Sequence, residues 1–289
     1  MTPTVSIITA AFNAGRFIGP FIRSILAQTW TDFELIIVDD ASQDNTVDIV
    51  ESFRDPRVRL IRHARNQGPG EARNTAIEVA TGKYLAVADA DDLNMPARLE
   101  KQVAFLETHP EVDVVGSNMY FFNEAGEIIG GLTNAGTTHD TFWRQLKWEM
   151  PLSHPTIMAK AAWLKKYKYR TEYPRAQDRE LFYRAYRKSR FAHIPEFLYA
   201  YRDEGQINPR KAALSLKCNI LMRCRHWREY GMPLASVLIY PLLATCRLLY
   251  FFVAAARGRS VYWAHMQKVF NNDQIQRDQL WIKEILTQR

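Results

Sequence analysis

The chain has 289 residues, enough for one large domain or two small ones, and its composition of 47% hydrophobic and 24% charged residues is that of an ordinary globular protein. The net charge of +7 would suit a nucleic-acid partner. The basic residues, however, concentrate between Arg210 and Lys268, where they alternate with apolar residues and Glu229 is the only acid. This stretch contains no nucleic-acid-binding motif, so it argues against nucleic acid and favours an anionic membrane surface.

The beginning of the chain and the cysteines bear on the compartment. Residues 1–4 lead into an apolar segment without a basic and hydrophobic leader, so we expect no signal peptide and a cytoplasmic protein. Cys218, Cys224 and Cys246 match no CxxC metal or redox spacing, and we expect buried free thiols.

Short apolar runs alternate with segments of helical periodicity over the first 90 residues. The runs predict strands over residues 5–9, 34–38, 58–61 and 83–88, and the periodic segments between them predict helices. This alternation indicates a parallel sheet with right-handed crossovers, in which ligands bind beyond the carboxyl ends of the strands.

Polar residues follow each of these predicted strands. They are Phe12-Asn13, Asp39-Asp40, Asn66–Gly70 and Asp89–Asp92. We therefore expect four loops to converge on one crevice. Neither GxGxxG nor GxxxxGK[ST] occurs, so the chain lacks the glycine-rich motifs of dinucleotide and P-loop sites, and a nucleotide held by carboxylates and a metal remains open.

The fourth strand ends in three carboxylates. Because side chains alternate along a strand, Asp89 and Asp91 can point to the same side, where their like charges favour a divalent cation between or beside them. Mg²⁺ or Mn²⁺ suits such oxygen ligands. Asp92 and Asn94 have an equally good alternative role, capping the helix that the following apolar stripe predicts.

Several segments together resemble the family-2 glycosyltransferases of the GT-A fold. They are VSIITAAFN (5–13), SILAQT (24–29), ELIIVDDASQDNT (34–46), ARN (72–74) and DADD (89–92). The match is close over about residues 4–110 and looser to about 205. It implies the GT-A, or nucleotide-diphospho-sugar transferase, fold: an α/β protein whose mixed, mostly parallel sheet is flanked by helices, here with a helical C-terminal extension.

The resemblance also implies the residues of a nucleotide-sugar site. Ala10, Phe12 and Asp40 would hold the base, with the Asp40 carboxylate accepting a hydrogen bond from a uracil N–H. The family often has Pro at position 10 and Tyr at position 12, and Phe12 can still stack on a base although it lacks the hydroxyl. Arg73 would lie near the nucleotide and Asp89 near the ribose. Asp91 would bind the Mn²⁺ or Mg²⁺ that bridges the diphosphate.

A second group of chemical interest begins at Gln177-Asp178. The residues alone favour Asp178 as a helix N-cap. The resemblance implies that Asp178 is the catalytic base, because the family has an acid-Asp pair here, although Gln177 replaces the first acid. His154 is expected to be a hydrogen-bonded structural group rather than a metal ligand. Arg202 could meet phosphate or pair with a nearby acid.

Beyond residue 110 the sequence pattern predicts a strand, a hairpin and a helix in place of the regular β-α alternation. A strand over 112–115 and a hairpin of 119–122 with 127–129 make the sheet mixed, and a helix over 137–148 lies beside the cleft. We divide the chain into a nucleotide-sugar-binding half (1–110), an acceptor-side half of the same domain (111–209) and a basic, apolar helical extension (210–289).

The extension contains a nearly uninterrupted apolar run over residues 234–256. Its length would span a bilayer, but Pro241 and Arg247 argue against a clean span, so we favour helices lying on the inner leaflet. Packing on the catalytic domain, or on a second copy in a homodimer, is the alternative. A last amphipathic helix around Trp281 should dock on the body of the protein.

These expectations combine into one function. The chain is expected to be a metal-dependent glycosyltransferase that moves one sugar from a nucleotide-sugar, a UDP-sugar, to a saccharide hydroxyl. The resemblance implies that the transfer is inverting and that the acceptor is lipid-linked, in exopolysaccharide, capsule or O-antigen biosynthesis. The QxxRW motif of processive synthases is missing, which favours single-sugar addition. The alternative is a non-catalytic nucleotide-sugar-binding scaffold subunit of the same fold.

Overall fold

The computed structural model describes residues 2–133, 139–146, 150–203, 209–232, 234–256 and 272–288. Its first half is the predicted β-α alternation. The elements are β1 (Val5–Ala11), α1 (Ile18–Leu26), β2 (Phe33–Asp39), α2 (Thr46–Ser52), β3 (Val58–Arg62), α3 (Pro69–Val79) and β4 (Tyr84–Val87). Each predicted strand is confirmed, with bounds that differ by a few residues.

The second half begins directly after the acidic turn. Its elements are β5 (Leu93–Asn94), α4 (Arg98–Thr108), β6 (Val114–Phe122), β7 (Ile128–Leu132), α5 (His139–Leu146), β8 (Met158–Lys160), α6 (Ala161–Tyr167), α7 (Gln177–Ala185) and β9 (Phe191–Arg202). The hairpin is confirmed as β6 and β7, but the separate strand expected before it is wrong, since β6 is continuous. The predicted helix over 137–148 is α5, and its remaining positions lie outside the described residues.

The described strands form one sheet in the order β3-β2-β1-β4-β8-β6-β9-β5, with β7 added on β6. Strands β1 to β4 are parallel to one another, β8 is antiparallel to both β4 and β6, and β6 is parallel to β9. The sheet is therefore mixed, as predicted, and its direction changes after β4. The carboxyl ends of β1 to β4 lie along one edge, where the four polar loops gather.

Helices cover both faces of the sheet because the central strands are apolar on both sides. Ile8 and Ile36 pack in one cluster with α3 and α7, whereas Ile7 and Leu35 pack in a second cluster with α1 and α4. All four side chains are fully buried. This double core holds the strand ends rigidly beneath the loops.

The C-terminal region contributes α8 (Pro209–His226), α9 (Leu234–Ala256) and α10 (Asn272–Thr287). Helix α10 buries Ile282 and Ile285 in a cluster with Leu93, and the Tyr120 hydroxyl donates a hydrogen bond to Asp278 (2.8 Å). The prediction that the last helix docks on the body is confirmed.

Two expectations about the extension can be compared with the structure: its relation to a membrane and the burial of its three cysteines. Within the described part of the chain, no helix combines the length and apolarity needed to cross a membrane. Cys218 is buried, as expected, but Cys224 and Cys246 are exposed, so the prediction of buried thiols is wrong for those two. They lie on sides of α8 and α9 that face away from the core.

Candidate active site

The loops that follow β1 and β2 are tied to each other. The Asn13 backbone N–H donates to the Ser42 hydroxyl (2.9 Å), and the Asn13 side-chain oxygen accepts from the Gln43 N–H (2.8 Å). Asn13 has a φ of 50°, a left-handed conformation that Asn tolerates better than most residues. Phe12 is 50% exposed beside this junction. An exposed ring on an ordered loop is a suitable surface for a base to stack on.

Asp40 is anchored by three hydrogen bonds. Its Oδ1 accepts from His63 Nδ1 (2.8 Å) and the Gln67 N–H (2.9 Å), and its Oδ2 accepts from the Gly68 N–H (2.7 Å). The carboxylate lies at the N-terminus of α3, where the helix dipole favours negative charge. Its side chain is only 3% exposed, so a base N–H would be a fourth partner for an already occupied group. Its contact with uracil stays a prediction.

Helix α3 carries Arg73 from this anchor to the end of β4. Arg73 Nη2 donates to Asp89 Oδ1 at 2.6 Å. Burial opposes ionisation of Asp89, but the charge and hydrogen bond of Arg73, together with the charges of His154 and Arg98, lower the pKa of the carboxyl overall. The Arg73 Nε–H is buried without a hydrogen-bond partner among the described residues, so it can still donate to a ligand.

The two remaining acids of the turn have opposite surroundings. Asp92 is buried and accepts from the Tyr199 hydroxyl (2.9 Å) and the Arg202 N–H (2.8 Å). Burial and the neighbouring charges of Asp91 and Asp89 raise the pKa of Asp92 well above its ordinary value. Asp91 is exposed, and its carbonyl accepts from Arg202 Nε (2.9 Å).

The capping role considered for Asp92 and Asn94 is wrong. Helix α4 begins at Arg98 and is preceded by Ala97, too far along the chain for either side chain to cap it. Asn94 instead accepts a hydrogen bond from the buried Arg98, which also donates to the Val87 carbonyl (2.8 Å) at the end of β4. Both residues therefore stabilise the turn rather than the helix.

The residues at the turn fit a metal ion of one particular kind. Among the described residues, no cluster of three or more His, Cys, Asp or Glu side chains is arranged to hold a metal. An exposed Asp91 beside an Asp89 that is engaged by Arg73 offers one carboxylate. This donor set suits an ion such as Mg²⁺, which takes one or two carboxylates and completes its shell with phosphate oxygens and water.

Asp178 lies in the first turn of α7 and is partly buried. The residue before the helix is Ala176, in a left-handed conformation with a φ of 63°, so the interpretation of Asp178 as the N-cap is wrong. Burial lowers the pKa of Arg73, but the negative charges around it, Asp89 first and Asp178 among the others, raise the pKa overall. Asp178 therefore acts on the same guanidinium that pairs with the acidic turn.

His154 is a hydrogen-bonded structural group, as predicted. Its Nε2 lies 2.7 Å from the Tyr169 hydroxyl, and the ring is 8% exposed. Burial, followed by the charge of Arg73, lowers the pKa of His154 to about 4, against the opposing effect of Asp178 and Asp89. The imidazole is therefore neutral at physiological pH and presents no positive charge to the cleft.

The predicted site residues fall into two neighbouring groups. Ala10, Phe12 and Asp40 lie at the ends of β1 and β2, where the Asp40 N–H donates to the carbonyl of residue 11 (2.8 Å). Arg73 and Asp89 are in contact at the end of β4, with Asp91 on the same turn. Helix α3 joins the groups, because it starts at the Asp40 anchor and carries Arg73.

Three functional partners were absent from the sequence predictions. They are His63, Tyr169 and Tyr199. Each lies at least 15 positions along the chain from the residue it contacts, and none belongs to a local motif. Tyr199 lies in a segment that the resemblance covers, but nothing in its surroundings indicates that its hydroxyl reaches residues 89 and 92.

Comparison with known proteins identifies the family and the fold. Residues 6–193 match glycosyl transferase family 2. This chain is 31% identical over 280 residues to EpsE of Bacillus subtilis, a protein named as a glycosyltransferase, and the match covers 93% of this chain and 95% of EpsE. The Escherichia coli UDP-Glc:alpha-D-GlcNAc-diphosphoundecaprenol beta-1,3-glucosyltransferase WfaP is 39% identical over 104 residues, covering 36% of this chain and 41% of WfaP.

Solved structures share the fold. Residues 1–349 of TarS from S. aureus in complex with UDP superpose with a TM-score of 0.59 and 24% identity, covering 77% of this chain and 65% of that one, so the chain spans just under two thirds of the TarS fragment. The mannosyltransferase PcManGT from Pyrobaculum calidifontis, with GDP-Man and Mn²⁺, gives a TM-score of 0.62 at 19% identity, covering 99% of this chain and 85% of PcManGT. The chain therefore belongs to glycosyl transferase family 2 and is a glycosyltransferase of the GT-A fold.

Proposed function

We propose that this enzyme transfers one sugar from a UDP-sugar to a hydroxyl group of a lipid-linked saccharide, with inversion at the anomeric carbon, in bacterial surface polysaccharide biosynthesis. The observation that carries the proposal is the position of Arg73. It pairs with Asp89 at 2.6 Å on the proposed donor side. Burial lowers the pKa of Arg73, and the negative charges that raise it include Asp89 first and then Asp178, on the proposed acceptor side. One cleft thus contains groups suited to both substrates.

The donor would lie along the ends of β1, β2 and β4. Phe12, half exposed, offers a stacking surface for the base, and Ala10 leaves space beside it. The Nε–H of Arg73, which has no hydrogen-bond partner in the described part of the chain, supports binding of an anionic group close to Asp89. The bound UDP of TarS and GDP-Man of PcManGT support the assignment of a nucleotide-sugar to this edge of the fold.

A divalent ion, Mn²⁺ or Mg²⁺, would be held by Asp91. When bound there, such an ion neutralises charge on the departing diphosphate. The chain's own contribution is positional: Arg202 holds the Asp91 carbonyl, and the buried Asp92 holds the backbone of Arg202. The exposed carboxylate is thereby presented on an ordered turn. The Mn²⁺ in the PcManGT structure supports a metal in this fold.

Asp178 would act as the base. As the acceptor oxygen forms its bond to the anomeric carbon, the bond from that carbon to the diphosphate oxygen breaks and the hydroxyl proton passes to the Asp178 carboxylate. The pKa of His154 is lowered to about 4, so the neighbouring imidazole is neutral and does not neutralise this base. Gln177, which stands where the family often has an acid, adds no negative charge beside Asp178.

Two observations support a lipid-linked acceptor and action of the enzyme at the inner face of the membrane. The name of WfaP specifies a diphosphoundecaprenol-linked acceptor for that relative. The basic, apolar extension of this chain suits an enzyme that meets such an acceptor where its lipid is embedded.

Calorimetric titration tests the proposal most directly. UDP, GDP, CMP and a set of UDP-sugars are titrated into the wild type and Asp91→Ala, with and without Mn²⁺. We expect binding of UDP and one UDP-sugar that requires Mn²⁺ and is lost in Asp91→Ala, while Asp48→Ala, a change at an exposed acid on α2, binds as the wild type does. Binding of UDP-sugar without transfer to any lipid-linked saccharide would favour the scaffold alternative, and no binding at all would overturn the donor site.

A further inference from the structure

The exposed apolar side chains of this protein are concentrated on two helices. Ten large apolar side chains are exposed among the described residues, and eight of them lie on α8 and α9. They are Leu214, Leu221, Leu234, Leu238, Ile239, Leu242, Leu243 and Leu249. Such a concentration on a water-exposed surface is unfavourable unless another apolar phase covers it.

The most exposed of these residues follow one side of α9. Leu234, Leu238 and Leu242 are 52%, 69% and 66% exposed and are spaced four residues apart, so they lie on one face of the helix. Val237 and Tyr240, on another side, are buried, and the Tyr240 ring lies 3.5 Å from the guanidinium carbon of Arg223 on α8. Helix α9 is thus seated on α8 and directs a leucine face outward.

The charged side chains on the two helices that form this surface, α8 and α9, are all positive. Neither α8 nor α9 contains an Asp or a Glu, and exposed basic residues include Lys217 on α8 and Arg228 just beyond it. Glu229, which follows α8, already pairs with Arg170 at 2.6 Å. A surface that is both apolar and cationic is complementary to the interface of an anionic bilayer, with headgroups outside and acyl chains beneath.

We infer that the exposed face of α8 and α9 docks the enzyme on an anionic lipid surface. A second copy of the chain is a poorer partner, because symmetric pairing would oppose like charges across the interface. The apolar side chains would enter the interfacial region while Lys217 and Arg228 lie near lipid phosphates. Since no described helix has the character of a membrane span, attachment through this face would be peripheral.

The position of this surface relative to the cleft favours its use in acceptor binding. Arg175, three residues before Asp178, donates a hydrogen bond from Nε to the Ser215 hydroxyl on α8 (2.8 Å). The docking helices are therefore attached to the segment that leads into the proposed base. An acceptor saccharide on a lipid carrier would then approach the side of the cleft that holds Asp178; this consequence rests on the proposed function, whereas lipid binding itself does not.

Vesicle flotation tests the inference with the full chain. Vesicles of phosphatidylcholine alone, or mixed with phosphatidylglycerol, are incubated with the wild type, a Leu238→Glu/Leu242→Glu variant and a Lys217→Gln/Arg228→Gln variant. We expect the wild type to float with the anionic vesicles, the leucine variant to remain in solution and the basic variant to bind more weakly, by about fivefold for each charge removed. Leu280→Glu is the matched control, because Leu280 is 68% exposed on α10, away from this face, and this variant should bind like the wild type.

The other outcomes contradict the inference. Equal binding to both kinds of vesicle would remove the role of charge, and binding that survives in the leucine variant would exclude this face. The wild type could instead fail to bind vesicles and form dimers that the leucine variant does not form. That result would show that this surface binds a second copy of the chain. UDP-sugar binding in solution is measured for every variant, so failure of lipid docking is distinguishable from failure of the donor site.

Discussion

The hydroxyl of Tyr199 donates a hydrogen bond to Asp92 Oδ2 at 2.9 Å, and the hydroxyl oxygen of Tyr199 accepts one from the Asp89 N–H at 3.1 Å. One phenol from β9 thus spans the turn that contains the proposed metal ligand, Asp91. Tyr199 is fully buried, so both hydrogen bonds lie away from water. A buried donor or acceptor that loses its hydrogen-bond partner there lowers the stability of the fold. The shape of the acidic turn therefore depends on a side chain more than 100 positions later in the chain.

Tyr199→Phe should weaken metal-dependent donor binding without abolishing the fold. The change leaves the Asp89 N–H and a buried carboxyl oxygen without partners, which costs on the order of 1–3 kcal/mol of unfolding free energy. Because the turn loosens, we expect the Kd for the nucleotide-sugar with Mn²⁺ to rise at least about tenfold. Calorimetry and denaturant unfolding measure the two effects.

Tyr120→Phe is the matched control for that variant. Tyr120 is also buried and also donates to a carboxylate, that of Asp278 at 2.8 Å on α10. It should lose similar stability but keep the wild-type Kd. Equal weakening of donor binding in both variants would show that global stability, rather than the turn, is responsible.

Asp178→Asn should separate binding from chemistry. The amide has nearly the shape of the carboxylate but cannot take the acceptor proton, so we expect donor binding to be retained and the transfer rate to fall by about 10²–10⁴. The rate of sugar transfer is measured at saturating donor and acceptor. A variant that transfers at the wild-type rate would exclude Asp178 as the base. Glu172→Gln, an exposed acid ahead of α7, should leave both quantities unchanged.

Gly82→Ala should destabilise the protein, whereas Gly19→Ala should not. A Cβ at position 82 would lie 2.6 Å from the backbone nitrogen of Ser6, where β1 and β4 pair, and backbone cannot move aside cheaply. A Cβ at position 19, in α1, would meet side-chain atoms only at 3.5 Å or beyond. We expect Gly82→Ala to cost about 1–3 kcal/mol in unfolding free energy, and Gly19→Ala to leave it equal or slightly higher. Urea titration compares the two.

Local patterns were sufficient for the strands and for the carboxylates at their ends. The apolar run before Asp89 and the periodic segments around it depend on burial within one β-α unit, which the sequence expresses directly. The direction of β8, antiparallel to β4, and the single long strand β6 depend on pairings between distant segments, which no local pattern contains.

The hydrogen-bond partners of the site residues could not be predicted from the sequence for the same reason. The resemblance implies a contact between Asp40 and the base, which stays a prediction, but it does not indicate that Asp40 also accepts hydrogen bonds from His63 and from the loop before α3. Likewise, Asp92 resembled a helix cap because its neighbours in sequence are turn-like, and only the fold brings Tyr199 to it. Sequence thus indicates which chemical groups are present, whereas tertiary contacts decide which of them remain available to a ligand.

His154 should make the protein less stable as the pH falls from 6.5 to 4. Its pKa is about 4 in the folded protein and 6.5 as the ordinary value, because burial and Arg73 disfavour the imidazolium. In that interval the unfolded chain binds a proton that the folded chain excludes, so acidification favours unfolding, by up to about 3 kcal/mol once the pH reaches 4. Below pH 4 both states are protonated and this contribution stops changing.

His193 titrates in the same sense, since burial also lowers its pKa to about 4, and it must be separated from His154. Urea unfolding is measured between pH 4 and 7 for the wild type, His154→Gln, His193→Gln and the double variant. Gln can still hydrogen-bond the Tyr169 hydroxyl but does not titrate, so each single variant should lose the part of the pH dependence that its histidine contributes, and the double variant should lose both parts. An unchanged slope in His154→Gln would mean that folding does not lower the pKa of the imidazole beside Tyr169, which would contradict this prediction.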